Sequence, residues 1–270
     1  MQAQPPTPSP LRPFPHAGNW LYGLLVPAAV LLLWALASVR HWLPEQVLPS
    51  PLQVWDALRY GAESGDLGAA VSISLRRVLY GFLLGSGLGL AFGVALGLSK
   101  VFREYLNPSF RAAIYLPLLG WLPLFVMVLG VGETLKVALI AKAAFVPVAI
   151  NAYGGIRNVP RHYFELARVY RFGARQRLLR VVLPAALPQI WSGLRLGLSV
   201  SFMVLVAVEF LAASEGLGYL MASGQQLFQM DLVLAMAVVI GLIGLLQDRI
   251  LTGIEARLLR WRPPAFGGRP

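Results

Sequence analysis

The chain has 270 residues, 57% of them hydrophobic and 13% charged, and a mean hydropathy of +0.66, where soluble domains run ~45–50% apolar and ~25% charged. This balance excludes a soluble globular domain and points to one membrane domain with several apolar spans. Cysteine is absent, which excludes disulfides, thiolate metal sites and thiol nucleophiles, and the net charge of +11 fits the Lys/Arg excess of cytoplasmic loops in membrane proteins rather than a nucleic-acid partner.

Residues 1–19 are proline-rich, hold the single charge Arg12, and are expected to be disordered and cytoplasmic. Trp20 to Val39 is an uninterrupted apolar run of spanning length. Ala35-Leu36-Ala37 resembles a signal-peptidase site, but the run exceeds the ~7–15 residues of a signal core and its leader is weakly basic, so it reads as an uncleaved first span. Residues 40–68 are more polar and read as an outer, periplasmic segment, with a turn at Leu48-Pro49-Ser50-Pro51 and a surface helix over Gln53–Tyr60. Residues 69–253 are the core membrane domain.

Its second span, about Val71–Leu98, carries Gly81, Gly85, Gly89, Gly93 and Gly97 at strict four-residue spacing. Each step of four turns the helix ~40° past a full turn, so the glycines form one inclined row. Such rows let helix backbones approach closely in lipid, and helix packing is favoured over lining of a substrate path. Arg76 and Arg77 open this span and read as interface anchors. Ser99–Asn107 reads as a polar turn with Lys100 and Arg103, followed by a third span over Pro108–Leu129 that Pro117 and Pro123 break. Gly130-Val131-Gly132-Glu133 is an outer turn. The fourth span, about Thr134–Tyr153, holds Lys142 near its middle, where an ionisable group costs ~2.5–3.5 kcal/mol and should face a cavity or a partner. That partner is either an anionic substrate or Glu209 of the fifth span, as a structural ion pair or part of the substrate path.

Arg157 to Pro184 is the longest polar interval, with seven arginines and one glutamate. Pro160 suits the start of a helix. Tyr163, Leu166, Ala167 and Tyr170 then share one face at i, i+3, i+4, i+7, while Arg161, Glu165 and Arg168 lie opposite at ion-pairing distances. Ala185–Ala212 is the fifth span, with Arg195 as a structural residue near its inner end. Asp231–Gly253 is the sixth, and residues 254–270 form a basic tail. With six spans, the Lys100 loop, the Arg157–Arg180 loop and the tail share one side, which is the cytoplasmic one, with both termini.

The basic stretch resembles the cytoplasmic loop signature of ATP-binding-cassette importer permeases, Glu-Ala-Ala, three residues, Gly, nine residues, Ile, any residue, Leu-Pro. Glu165-Leu166-Ala167 opens it, Val181 takes the Ile place and Leu183-Pro184 closes it. The departure is Arg171 at the glycine place; the nearest glycine is Gly173. Leu48-Pro49-Ser50-Pro51, Leu122-Pro123-Leu124-Phe125, Gly130–Glu133, Leu187-Pro188, Gly216-Leu217-Gly218-Tyr219-Leu220 and Leu258–Arg262 are similar to permeases of the nitrate, taurine and aliphatic-sulfonate group.

The resemblance implies an all-α bundle of six transmembrane helices with the type I importer permease fold, multi-pass in the bacterial inner membrane. It implies a pair of permease copies as a homodimer, two ABC ATPase subunits, and a periplasmic binding protein that delivers a small anion: an organic sulfonate first, then taurine, then nitrate. It further implies a coupling helix at about residues 160–173, in which Tyr163, Glu165, Leu166, Ala167, Arg168, Val169, Tyr170 and Gly173 meet the ATPase; apart from the resemblance, the positive charge of Arg175, Arg177 and Arg180 suits contact with anionic membrane lipid. The chain has no Gly-x-x-x-x-Gly-Lys-Ser/Thr loop, so ATP and Mg belong to the partner and no cofactor is expected here. An ATP-independent carrier would need an inverted repeat or ion-coupling residues, and a membrane enzyme a catalytic cluster; the sequence displays neither.

Overall fold

The computed structural model describes residues 20–261, and among these the regular elements are all helical. The proline-rich leader and residues 262–270 of the basic tail lie outside the described residues. Helix α1 is Trp20–Val39. Helix α2 is Pro51–Ser64, longer than the surface helix expected from sequence. Its start is fixed locally: the Gln53 N–H donates to Ser50 Oγ at 3.2 Å, the Ser50 N–H donates to Gln53 Oε1 at 2.7 Å, and Pro51 takes the first helical position. The Trp34 indole N–H donates to the Pro49 carbonyl at 2.9 Å and ties α1 to this turn.

Among the described residues, four helices are long and apolar enough to cross a membrane: α3 (Asp66–Leu98), α6 (Glu133–Arg157), the rod Ala174–Ala212, and α11 (Met230–Leu258). The rod comprises α8 (Ala174–Arg177), a π-helical turn (Leu178–Val182) and α9 (Leu183–Ala212).

The expected third span is where the structure departs from the sequence reading. Ser99 is a helix cap rather than part of a turn, its hydroxyl accepting from the Phe102 N–H at 3.3 Å. Helix α4 (Lys100–Tyr115) therefore runs through the segment read as polar turn, with Pro108 inside it. It stops where Leu116, restricted by Pro117, becomes extended. A 3-10 turn (Leu118–Trp121) and the short helix α5 (Leu122–Leu129) follow. Helix α4 is amphipathic, with Lys100, Arg103, Glu104 and Arg111 among its polar residues; none of its residues is buried, and Phe110 meets Phe92 of α3 and Phe145 of α6.

Helix α6 is the centre of the bundle, packed along α3 on one side and α9 on the other. The glycine row makes the first contact. A Cβ at Gly81 would meet Ile140, at Gly85 the Ala141 carbonyl, at Gly89 Phe145, at Gly93 Ala149 and at Gly97 Ile156, all on α6. The α6 backbone thus lies directly against Gly85, Gly89 and Gly93, while the Ile140 and Ile156 side chains cover Gly81 and Gly97. On the other flank Leu139, Ala144 and Val148 of α6 and Leu205 and Val208 of α9 are fully or nearly fully buried. Helix α10 (Leu217–Gln226) joins α2, α3 and α11 around Val54, Ala70, Leu217, Ala235 and Met236.

Candidate functional site

At the end of the bundle where α6 finishes, helix α7 (Arg161–Val169) lies between α6 and the rod, with Pro160 as its cap. Phe164 packs on a cluster of Ala152, Ile156, Val159, Val182, Ala186 and Ile190, and Ala167 is only 2% exposed. This anchors the inner side of α7 on both α6 and the rod. Leu166, Val169 and Tyr170 are exposed at 53%, 78% and 70%. Tyr163, Leu166, Ala167 and Tyr170 line one open groove of about 370 Å³ with Phe172, Arg180 and Trp261. The expected pairs of Glu165 with Arg161 or Arg168 are absent among the described residues, so Glu165 projects its charge outward unpaired.

The turn after α7 accounts for the departure at Arg171. Arg171 has φ +50°, the left-handed region that favours glycine. Its N–H donates to the Arg168 carbonyl at 2.9 Å, and the Phe172 N–H donates to the Ala167 carbonyl at 2.9 Å, the pair of bonds that closes a helix around a left-handed residue. Gly173 instead sits at φ −65° and caps α8, its N–H donating to Gln176 Oε1 at 3.2 Å. The signature's glycine place thus has the left-handed backbone that favours glycine, with an arginine in it.

The opposite end of the bundle holds a charge cluster that the sequence reading missed. Arg77 is 2% exposed and Glu209 fully buried. Arg77 Nη1 donates to Glu209 Oε1 at 2.8 Å and to the Glu215 carbonyl at 2.7 Å; Nε and Nη2 clamp the Glu133 carboxylate at 2.7 and 2.6 Å. Lys136, also buried, donates to Glu133 at 2.7 Å. The Ser74 hydroxyl donates to Glu209 at 2.8 Å and accepts from the Leu217 N–H at 3.0 Å, while the Gly218 N–H donates to Glu209 Oε2 at 3.0 Å. The first amides of α10 are therefore capped by a hydroxyl and a carboxylate. Gly216, at φ +109°, lies where a Cβ would collide with the Glu209 carboxylate. Arg77, expected as an interface anchor, is instead buried in this cluster, while the adjacent Arg76 is exposed. The missed signal was phase: Arg77 lies four residues before Gly81 and extends the glycine row toward α6.

Glu209 and Lys142 are not brought together. Lys142 lies instead over the Trp121 ring, Nζ 4.7 Å from its centroid, beside an apolar groove of about 380 Å³. Arg195 joins α9 to α11 through Asp248 at 2.5 Å and Glu255 at 3.1 Å, in keeping with a structural role.

Comparison with known proteins gives these ends a context. Residues 85–260, well over half of the chain, match the family described as the inner membrane component of binding-protein-dependent transport systems. The chain belongs to that family. The matched stretch takes in α7, Lys142 and Glu209 and leaves out Arg77. The chain is 38% identical over 244 residues to a Bacillus subtilis protein named as an aliphatic sulfonates transport permease, SsuC, covering 90% of this chain and 88% of the relative. It is 34% identical to the Escherichia coli protein of the same name, over 88% of this chain and 90% of the relative. It is also 34% identical to the E. coli taurine transport system permease TauC, over 87% of each chain. As an ABC transporter permease, this family member is a membrane subunit of a transport system.

Proposed function

We propose that this permease is the membrane subunit of an ATP-driven importer for a small anion, an organic sulfonate before taurine and nitrate. It works as one of two copies in a bacterial inner membrane, with two ABC ATPase subunits below and a binding protein above. The observation that carries this reading is α7. It is a short helix anchored by Phe164 and Ala167 to the two central helices of the bundle, with Tyr163, Leu166, Val169 and Tyr170 turned outward. An exposed apolar face on a rigid mount requires a partner. Movement of that partner would pass into α6 and the rod, because Phe164 touches residues of both. ATP chemistry belongs to the partner, and the permease alternates between two bundle arrangements whose populations ATP and the loaded binding protein both bias.

The test is copurification with the cognate ATPase. Leu166→Glu and Tyr163→Asp put a charge on the outward face without disturbing Phe164 or Ala167. Each is expected to leave membrane insertion intact and to remove the ATPase from the purified complex. Wild-type ATPase yield with both variants would overturn the reading.

A further inference from the structure

We infer that the groove beside Lys142 is a binding site for an anion with an alkyl tail, so that within the proposed importer the cargo is an aliphatic sulfonate rather than taurine or nitrate. The inference rests on the permease reading above and deepens it.

Position comes first. Lys142 stands nine residues into α6, about 14 Å from its Glu133 end, in a helix of about 37 Å. That is near mid-depth of a ~30 Å hydrocarbon layer, beyond the lipid head groups. A cation at this depth faces a cavity or a partner. Among the described residues no carboxylate lies within 4.0 Å of it, and the Trp121 ring is its neighbour. The Trp121 indole N–H is itself buried and finds no acceptor. The site therefore offers positive charge and no negative group to answer it.

The groove supplies the rest of the selection. Its volume, about 380 Å³, falls in the ~300–1,000 Å³ range of small-molecule sites. Among the described residues that line it, Lys142 and Asn151 are the polar side chains, and the Asn151 amide already donates to the Pro147 carbonyl at 2.8 Å. The wall running from Lys142 is Val146, Ile150, Leu196 and Val200, faced by Ile114. Lys142 to Ile150 is about 12 Å of helix, room for a short alkyl chain. The break at Leu116 and Pro117 also borders it, and non-helical backbone at membrane depth is tolerated where it lines a cavity. An anionic head on Lys142 with a chain along this wall satisfies both surfaces. Nitrate would leave the apolar wall unused. Taurine would bring an ammonium group into a groove that already holds the Lys142 cation and has no carboxylate among its lining residues to pair with it, an unfavourable approach of like charges.

The experiment is direct binding to the purified permease–ATPase complex in the absence of the binding protein, which removes that protein's own selectivity. The probe is radiolabelled butanesulfonate, displaced by unlabelled methanesulfonate, hexanesulfonate, taurine or nitrate. Hexanesulfonate is expected to compete at least tenfold more strongly than taurine or nitrate. Lys142→Gln should weaken butanesulfonate binding at least tenfold, and Lys142→Arg should keep most of it, with both variants retaining the ATPase. Val200→Phe fills the wall and should weaken hexanesulfonate more than methanesulfonate, a shift that a merely structural residue would not cause. Equal binding by wild type and Lys142→Gln, or taurine and nitrate competing as well as hexanesulfonate, overturns the site. Loss of the ATPase from the wild-type preparation would instead count against the permease reading, and is scored on the same sample.

Discussion

The cluster around Arg77 makes an asymmetric demand on its members that can be measured. Among the described residues, Arg77→Met removes the one cation that touches Glu209, which is fully buried and then keeps the Ser74 hydroxyl and the Gly218 N–H. An uncompensated charge in such a place costs about 3–5 kcal/mol. Glu133 and Glu215 also lose a partner, but their side chains are 57% and 54% exposed, so water and, for Glu133, Lys136 replace it at about 0–1 kcal/mol each. Glu209→Gln is milder. Arg77 keeps Glu133 and Glu215, the amide oxygen still accepts from Gly218, and the loss is that of one bond to a charged group, about 1.5–3 kcal/mol. The double variant removes both buried charges and should be more stable than Arg77→Met alone, with a coupling of about 2 kcal/mol or more. Unfolding by SDS titration in mixed micelles, followed through the seven tryptophans, gives all four corners of the cycle. Equal costs for the two single variants, or a double variant equal to their sum, would refute the assignment of Arg77 as the compensating cation.

Arg171→Gly should raise stability by about 1–2 kcal/mol, because it relieves a side chain from left-handed backbone while the two closing hydrogen bonds remain; a lower melting temperature for the purified chain would refute this. Gly85→Ala places a methyl on the Ala141 carbonyl and should destabilise the bundle by about 1–3 kcal/mol, whereas Gly87→Ala, with nothing near its Cβ, should be neutral or slightly stabilising, read by the same SDS titration; equal effects would show that α3 does not lie against α6 through this row.

The letters carry periodicities well and pairings poorly. The four-residue recurrence from Gly81 to Gly97 is visible in the sequence, but the identity of the surface facing it is not, since α6 begins 36 residues after Gly97. The face of Tyr163, Leu166, Ala167 and Tyr170 is set by helical phase alone, and those four side chains line one groove. Ion pairs follow no such rule. Arg76 and Arg77 are adjacent and chemically identical, yet about 100° of helix rotation separates an exposed side chain from a buried one. The acids that receive Arg77 are 56, 132 and 138 residues away. Lys142 was legible as a costly intramembrane charge, but distance along the chain could not decide between Glu209 and a cavity. The helix limits in the third segment were not legible because hydropathy averages over Leu116 and Pro117, whereas one cap at Ser99 and one restricted residue before a proline redraw them.

Helix α8, the π turn and α9 wind without interruption for 39 residues. Such a rod is about 58 Å long, and Arg177 and Glu209 sit near its two tips, about 48 Å apart. A pivot of only ~5° about the Arg177 tip would sweep the far tip through about 4 Å, more than the reach of any bond that Glu209 makes. The wide π turn adds one residue to a single coil, and with Pro188 it marks where the rod departs from regular α-helical bonding. Small angular errors at the inner surface are thereby magnified at the outer one, and the clamp around Glu209 is the part of the molecule that would register them first.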